Sequence, residues 1–159
     1  MKFLMHPIWR QTALMALVVM LLDQLSKWWM LEVVQIAERE PIVLLPVFKL
    51  VMVWNYGISF GMLAHPGTSV PWFLQGVAIT IAGVLAWLAF KSERCSERLA
   101  YGAIIGGALG NVVDRCRFGA VADFFVAHWG ELAWPAFNVA DASIFCGVSA
   151  LILLSFKKK

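Results

Sequence analysis

Four stretches of about twenty mostly apolar residues decide what this chain can fold into, because at about 1.5 Å per helical residue each can cross a bilayer core of roughly 30 Å. They lie at 11–30, 71–90, 98–117 and 138–156. Soluble domains are roughly 45–50% apolar and about 25% charged. Here 61% of the residues are hydrophobic and 14% charged, with a mean hydropathy of +0.77. A bilayer is the solvent that suits such a chain. The same figures exclude a disordered segment, a collagen-like chain and a disulfide scaffold. A net charge of +3, scattered along the sequence, offers a polyanion little to bind, so no nucleic-acid partner is expected. Cys95, Cys116 and Cys146 stand far apart without a C-x-x-C pair, and 159 residues suit one domain.

Orientation follows from the basic residues. Lys2, Arg10, Lys91, Arg94, Arg98, Lys157, Lys158 and Lys159 flank the windows on one side, against Arg39 and Lys49 in the opposite loops. The positive-inside rule puts both termini and the 91–97 link in the cytoplasm, with 31–70 and 118–137 facing outward. The opening MKFLMHPIWR and its apolar run resemble a secretory signal, but no small-x-small cleavage site follows Leu22, so the segment is read as an uncleaved first span. In the long outer loop, β-branched and aromatic runs broken by Pro41, Pro46, Gly57 and Gly61 predict short strands. The aromatic stretch 124–137, FFVAHWGELAWPAF, is read as lying in the membrane interface. The expected fold class is therefore an all-α membrane protein, a single domain over 1–159 with four transmembrane helices. A small β-strand element and an interfacial segment are expected on its outer (periplasmic) face.

A charged side chain at a helix centre costs about 2.5–3.5 kcal/mol, so each one needs a reason. Asp23 and Lys27 sit one turn apart, past the middle of the outward-running first span. Asn111, Asp114 and Arg115 fall in the last two turns of the third. Asn138 and Asp141 occupy the first turn of the fourth, and Gln75 lies in the outer turns of the second. Singly, each has an ordinary explanation: Asn138 can cap a helix with Asp141 three residues on, and Asp23 can simply pair with Lys27. Their convergence from several spans on one depth favours a polar site within the outer leaflet. In the third span Gly102, Gly106 and Gly110 recur at every fourth position beside Ala103 and Gly107. That spacing predicts close backbone packing within the monomer, holding Asn111 and Asp114 against a neighbour.

The residue types then narrow the chemistry. His6 falls on the cytoplasmic side, and His65 and His128 stand alone in outer loops, so no metal site is expected. Cys146 has no basic partner nearby, and Ser59 and Ser143 have no evident His. Carboxylates remain: Asp23, Asp114, Asp123 and Asp141. Two that share a site cannot both ionise easily, so one keeps its proton while the other can draw one from water. Such a pair can hydrolyse an amide without a metal or a covalent intermediate. The residues alone leave open which pair it is.

The blocks DQLSK (23–27), NYGISFG (55–61), GGALGNVVDR (106–115), FGAVADF (118–124) and FNVADASI (137–144) resemble those of the bacterial lipoprotein signal peptidases, or signal peptidase II. The resemblance runs in order along the whole chain. It implies an intramembrane aspartic endopeptidase of the inner membrane, without cofactor or metal. Such an enzyme removes the signal peptide from prolipoproteins, cutting before the diacylglyceryl-modified cysteine, with those substrates and membrane lipid as partners. It implies Asp123 and Asp141 as the catalytic carboxylates, with Asp23, Lys27, Asn55, Gly57, Asn111, Asp114, Arg115 and Asn138 lining or bracing the site. Asp114 is expected to orient or pair with Arg115. One departure is Val121-Ala122-Asp123 where the family carries Val-Val-Asp; alanine keeps the site apolar but is expected to loosen packing behind Asp123. A monomer is expected. The alternative is a small proton-coupled transporter, whose carboxylates belong near the midplane on broken or repeated helices. A purely structural membrane subunit would leave the acids dispensable.

Overall fold

The computed structural model describes residues 7–57 and 70–156. Lys2, His6, Ser59, Gly61, His65 and the three terminal lysines lie outside them. Helix α1 (Pro7–Trp28) continues through a π-helical turn (Trp29–Val33) and a short 3-10 turn (Ile36–Glu38) into β1 (Ile42–Leu45) and β2 (Phe48–Asn55). Then come α2 (Val70–Lys91), α3 (Cys95–Phe118), β3 (Val121–Trp129), β4 (Leu132–Ala133) and α4 (Val139–Phe156).

Among the described residues, three helical stretches are long and apolar enough to cross a membrane: Trp9–Val33, Trp72–Lys91 and Val139–Phe156, with mean hydropathies of 1.4, 2.0 and 2.0. Helix α3 is as long, at 24 residues, but Glu97, Arg98, Asn111, Asp114 and Arg115 keep it outside that group. Its position explains its composition. It packs against α1, α2 and α4, so its polar side chains can face protein. Burial is inverted relative to a water-soluble protein. Leu14, Leu17 and Leu21 of α1, Ile79, Ile81 and Val84 of α2, and Phe145, Ile152 and Leu153 of α4 are exposed, while Asp23, Lys27, Asp114, Asp123 and Asn138 are buried. Lipid tolerates that outer surface and water does not.

The glycines of α3 work as close-contact points. A Cβ on Gly102 would lie 2.7 Å from the Thr12 carbonyl oxygen, and one on Gly106 would lie 2.5 Å from that of Ala16, both in α1. On Gly107 it would lie 2.5 Å from the Ala140 carbonyl oxygen in α4. The stripe therefore packs within one chain, as its spacing predicts. Gly110 serves differently: a Cβ there would lie 2.5 Å from Asp23 Oδ2, so this glycine makes room for a carboxylate.

Helix α3 ends at Gly119, whose φ of 73° is left-handed and whose N–H donates to the Arg115 carbonyl at 3.0 Å. That cap turns the chain into β3. The four strands form an antiparallel sheet in the order β1-β2-β3-β4, with a register shift between Leu50 and Val53 before Val53 pairs Asp123 and Asn55 pairs Val121. Here the sequence reading needs correction. The sequence predicts strands only in the 31–70 loop and an interfacial segment over 124–137. Instead this stretch supplies most of β3 and all of β4. Phe124 is wholly buried with Met30, Ile36 and Leu50, and Phe125 bridges Phe137. Only the tip, with Trp129, Leu132 and Trp134, is exposed. Aromatic and β-branched side chains suit a half-buried pleated surface as well as a membrane interface.

Gly106→Ala should destabilise by about 1–3 kcal/mol, since the methyl group meets backbone that cannot give way, and Gly106→Leu should yield no folded protein. Gly83→Leu is the control, because a Cβ there meets nothing within 4 Å. Melting in detergent checks this; a Gly106→Leu protein with normal yield and melting temperature would show that this face meets lipid.

Candidate active site

The site is built around one buried cation. Lys27 Nζ lies 2.8 Å from Asp23 Oδ2 and 2.7 Å from Asp114 Oδ2, and donates to Asn111 Oδ1 at 3.1 Å. Three charges out of water are tolerable only when their remaining hydrogen-bonding capacity is also met. It is. Gln24 Nε2 donates to Asp114 Oδ1 at 2.8 Å. Two backbone N–H groups supply the rest: Ala140 donates to Asp23 Oδ1 at 2.9 Å, and Ala122 to Asp114 Oδ2 at 3.2 Å. These alanines directly precede Asp141 and Asp123. The ion cluster thus fixes the backbone in front of each of those acids. It also corrects the expected partner of Asp114, which binds Lys27, Gln24 and the β3 backbone, while Arg115 reaches elsewhere. Nor does Ala122 leave the strand loose. It is wholly buried, and besides its held N–H its carbonyl accepts from Asn138 Nδ2 at 3.4 Å.

Asp123 projects from β3. Asn55 pairs with Val121 across the ladder, so its side chain shares the face of Asp123 two residues on, and its Nδ2 donates to Asp123 Oδ2 at 3.1 Å. Asn138 Nδ2 donates to Asp123 Oδ1 at 2.6 Å. Asp141 comes from the first turn of α4, where it and Asn138 form a reciprocal cap. The Asp141 N–H donates to Asn138 Oδ1 at 2.9 Å, and the Asn138 N–H to Asp141 Oδ2 at 3.3 Å. Asn111 Nδ2 donates to Asp141 Oδ1 at 2.9 Å. The ordinary reading of Asn138 as a helix cap therefore holds, and the same side chain also reaches Asp123. Asp123 is buried and Asp141 half-buried. Burial, and then the nearby charge of Asp141, push the Asp123 carboxyl up to about 7.

Arg115 Nη2 donates to the Gly57 carbonyl at 3.2 Å, and the Gly57 N–H to Asn55 Oδ1 at 3.2 Å. This orients the Asn55 amide with its NH₂ toward Asp123. The guanidinium stands within electrostatic reach of Asp123, Asp141 and Asp114. Asp23, Lys27, Asn55, Gly57, Asn111, Asp114, Arg115, Asn138, Asp123 and Asp141 thus converge on one cluster. Gln24 belongs with them and escaped the sequence reading; its only signal was its place inside the DQLSK block. Gln75, read into the same layer, makes no hydrogen bond to the cluster among the described residues. Nor, among those residues, do three His, Cys, Asp or Glu side chains come together as a metal site.

Removing the cation should leave two carboxylates buried without compensation. Lys27→Met should cost about 3–5 kcal/mol, read as a large drop in melting temperature. Combining it with Asp23→Asn and Asp114→Asn should restore much of the loss. A Lys27→Met protein as stable as the wild type would show that the cluster does not hold the fold.

Comparison with known proteins gives the family. The family model described as "Signal peptidase (SPase) II" matches residues 15–157. A lipoprotein signal peptidase of Methylobacterium sp. (strain 4-46) is 42% identical over 139 residues, covering 87% of this chain and 84% of that protein. One from Azoarcus sp. (strain BH72) is 44% identical over 141 residues, covering 87% and 78%. Among solved structures, a bacterial membrane enzyme determined by the in meso method superposes with a TM-score of 0.79 at 26% identity, covering 93% of this chain and 91% of that one. With a match of this extent, the chain belongs to the signal peptidase II family of aspartic peptidases.

Proposed function

We propose that Asp123 and Asp141 are the catalytic pair with which this chain removes signal peptides from prolipoproteins, cutting before the cysteine that carries a diacylglyceryl group. The observation that carries the reading is the set of donors around the two acids. Asn55, Asn138 and Asn111 side chains and the Asn138 N–H hold all four carboxylate oxygens. Every one is uncharged. Lys27 is taken up by Asp23 and Asp114. Those donors fix the geometry of the pair and favour its ionised form; burial and the neighbouring charge of Asp141 raise Asp123 against them, so one proton stays with the pair, which is the state needed for acid–base hydrolysis of an amide.

In this reading Asp141 takes a proton from water as the water oxygen bonds to the scissile carbonyl carbon, and Asp123 gives its proton to the carbonyl oxygen. Asp141 then passes its proton to the departing nitrogen. The C–N bond breaks as Asp123 recovers a proton from the tetrahedral hydroxyl, regenerating both acids. The half-buried position of Asp141 and the burial of Asp123 suit these roles. Asn55, Gly57, Asn111, Arg115 and Asn138 position the pair, and Asp23, Lys27 and Asp114 brace the backbone behind it.

The same proposal takes residues 1–159 as one domain with α3 as a fourth span, both termini in the cytoplasm of a bacterial inner membrane, and the pair near the outer face. The basic residues around the 91–97 link support that orientation. A pair at that depth meets a substrate whose signal helix and acyl chains both lie in the bilayer. The chain is read as a monomer, its glycine stripe being used within it. The transporter alternative finds no support: the relatives are peptidases, and the acids gather where β3 meets the helix ends.

Asp123→Asn and Asp141→Asn should each lower kcat on a lipidated prolipoprotein by about 10³-fold or more, with melting temperatures close to wild type. Asp114→Asn should be less stable yet keep measurable turnover. The wild-type rate should fall as pH rises through about 7, where Asp123 gives up its proton, and again in acid, where the pair takes a second proton. Near-normal cleavage by Asp123→Asn alongside none by Asp114→Asn would move the pair to Asp114 and Asp141.

A further inference from the structure

We infer that Gln75 is a substrate-binding residue, its amide N–H donating to a carbonyl oxygen of the bound substrate in the seam between α2 and α3. The inference rests on the hydrolytic reading above. Gln75 sits in the second turn of α2 and is only 6% exposed. Its Oε1 lies 3.6 Å from the Cys116 thiol of α3, which orients the amide. Its Nε2 is buried and makes no hydrogen bond among the described residues.

A membrane helix normally satisfies such groups or omits them. Thr80, further along α2, donates back to the Gly76 carbonyl at 2.8 Å. A donor buried without an acceptor opposes folding, so packing gives no reason for glutamine at position 75. A ligand does. In sequence Cys116 follows Arg115, whose Nε is also buried without a partner among the described residues and whose guanidinium stands within reach of Asp123 and Asp141. Two N–H donors that lack acceptors among the described residues thus lie at the end of α3 that carries Arg115, one on Arg115 itself and one on Gln75 against the next residue, Cys116. The nearby carboxylates disfavour an anion there. Neutral carbonyl oxygens fit, and a lipidated peptide offers two kinds: those of its backbone and those of its glyceryl esters.

The test uses the full chain in detergent with two synthetic lipopeptides, one carrying a diester and one a diether glyceryl cysteine. Gln75→Met and Gln75→Leu both remove the donor. Each should raise KM on the diester by roughly 3- to 10-fold with kcat unchanged, and Gln75→Met should melt no lower than wild type. If the KM penalty disappears on the diether, the partner is an ester carbonyl; if it persists, the partner is a backbone carbonyl. An unchanged KM in both variants overturns the inference, as does a lower melting temperature with losses confined to kcat. Failure of the hydrolytic reading looks different, since it appears as turnover by Asp123→Asn.

Discussion

A single ammonium group held between two carboxylates, away from water, is the constraint on which the rest of this structure depends. Lys27 cannot leave Asp23 and Asp114 without stranding charge in a low-dielectric interior, so α1 and α3 are tied at this depth. Close approach makes the tie possible. Gly102 and Gly106 bring α3 against α1, and Gly110 leaves the volume that the Asp23 carboxylate occupies. The glycine stripe and the ion cluster are thus two parts of one device.

What the cluster holds matters more than the stability it gives. Asp23 and Asp114 each use an oxygen to accept a backbone N–H, and those N–H groups belong to Ala140 and Ala122. One lies in α4 and the other in β3. The residues that follow them are Asp141 and Asp123, so a helix and a strand far apart in sequence are locked in mutual register by one cation. Asn111 adds a second link, accepting from Lys27 while donating to Asp141. Support of this kind lets a functional pair keep its geometry without a charged group pinning it directly.

Much of this was legible from the sequence, and what was not has physical causes. Hydropathy reports three helices plainly, because their outer surfaces meet lipid. It reports α3 less plainly because that helix packs against three others and can carry Asn111, Asp114 and Arg115. The convergence of the polar residues was readable from their offset within each window, and the hydrogen bonds among Lys27, Asn111, Asn138 and Asp141 bear it out. The strand containing Asp123 was not, since Phe124, Phe125 and Trp129 suit an interface and a sheet equally well. The Asn55–Asp123 contact spans 68 residues and depends on a register shift in β2 that no local pattern announces. The choice of Asp114 for Lys27 rather than Arg115 is set by which side of α3 faces α1. Gln24 turned out to belong to the site because its amide reaches Asp114 across the helix pair.

The central claim is that Asp123 and Asp141 act as one proton-sharing unit. It is tested most directly by combining Asp123→Asn with Asp141→Asn and comparing single-turnover cleavage with that of each single variant. Residues that act as a unit lose their function together, so the double variant should be no slower than the slower single one. Losses that multiply instead would contradict the account, because they would mean that the two carboxyls contribute independently.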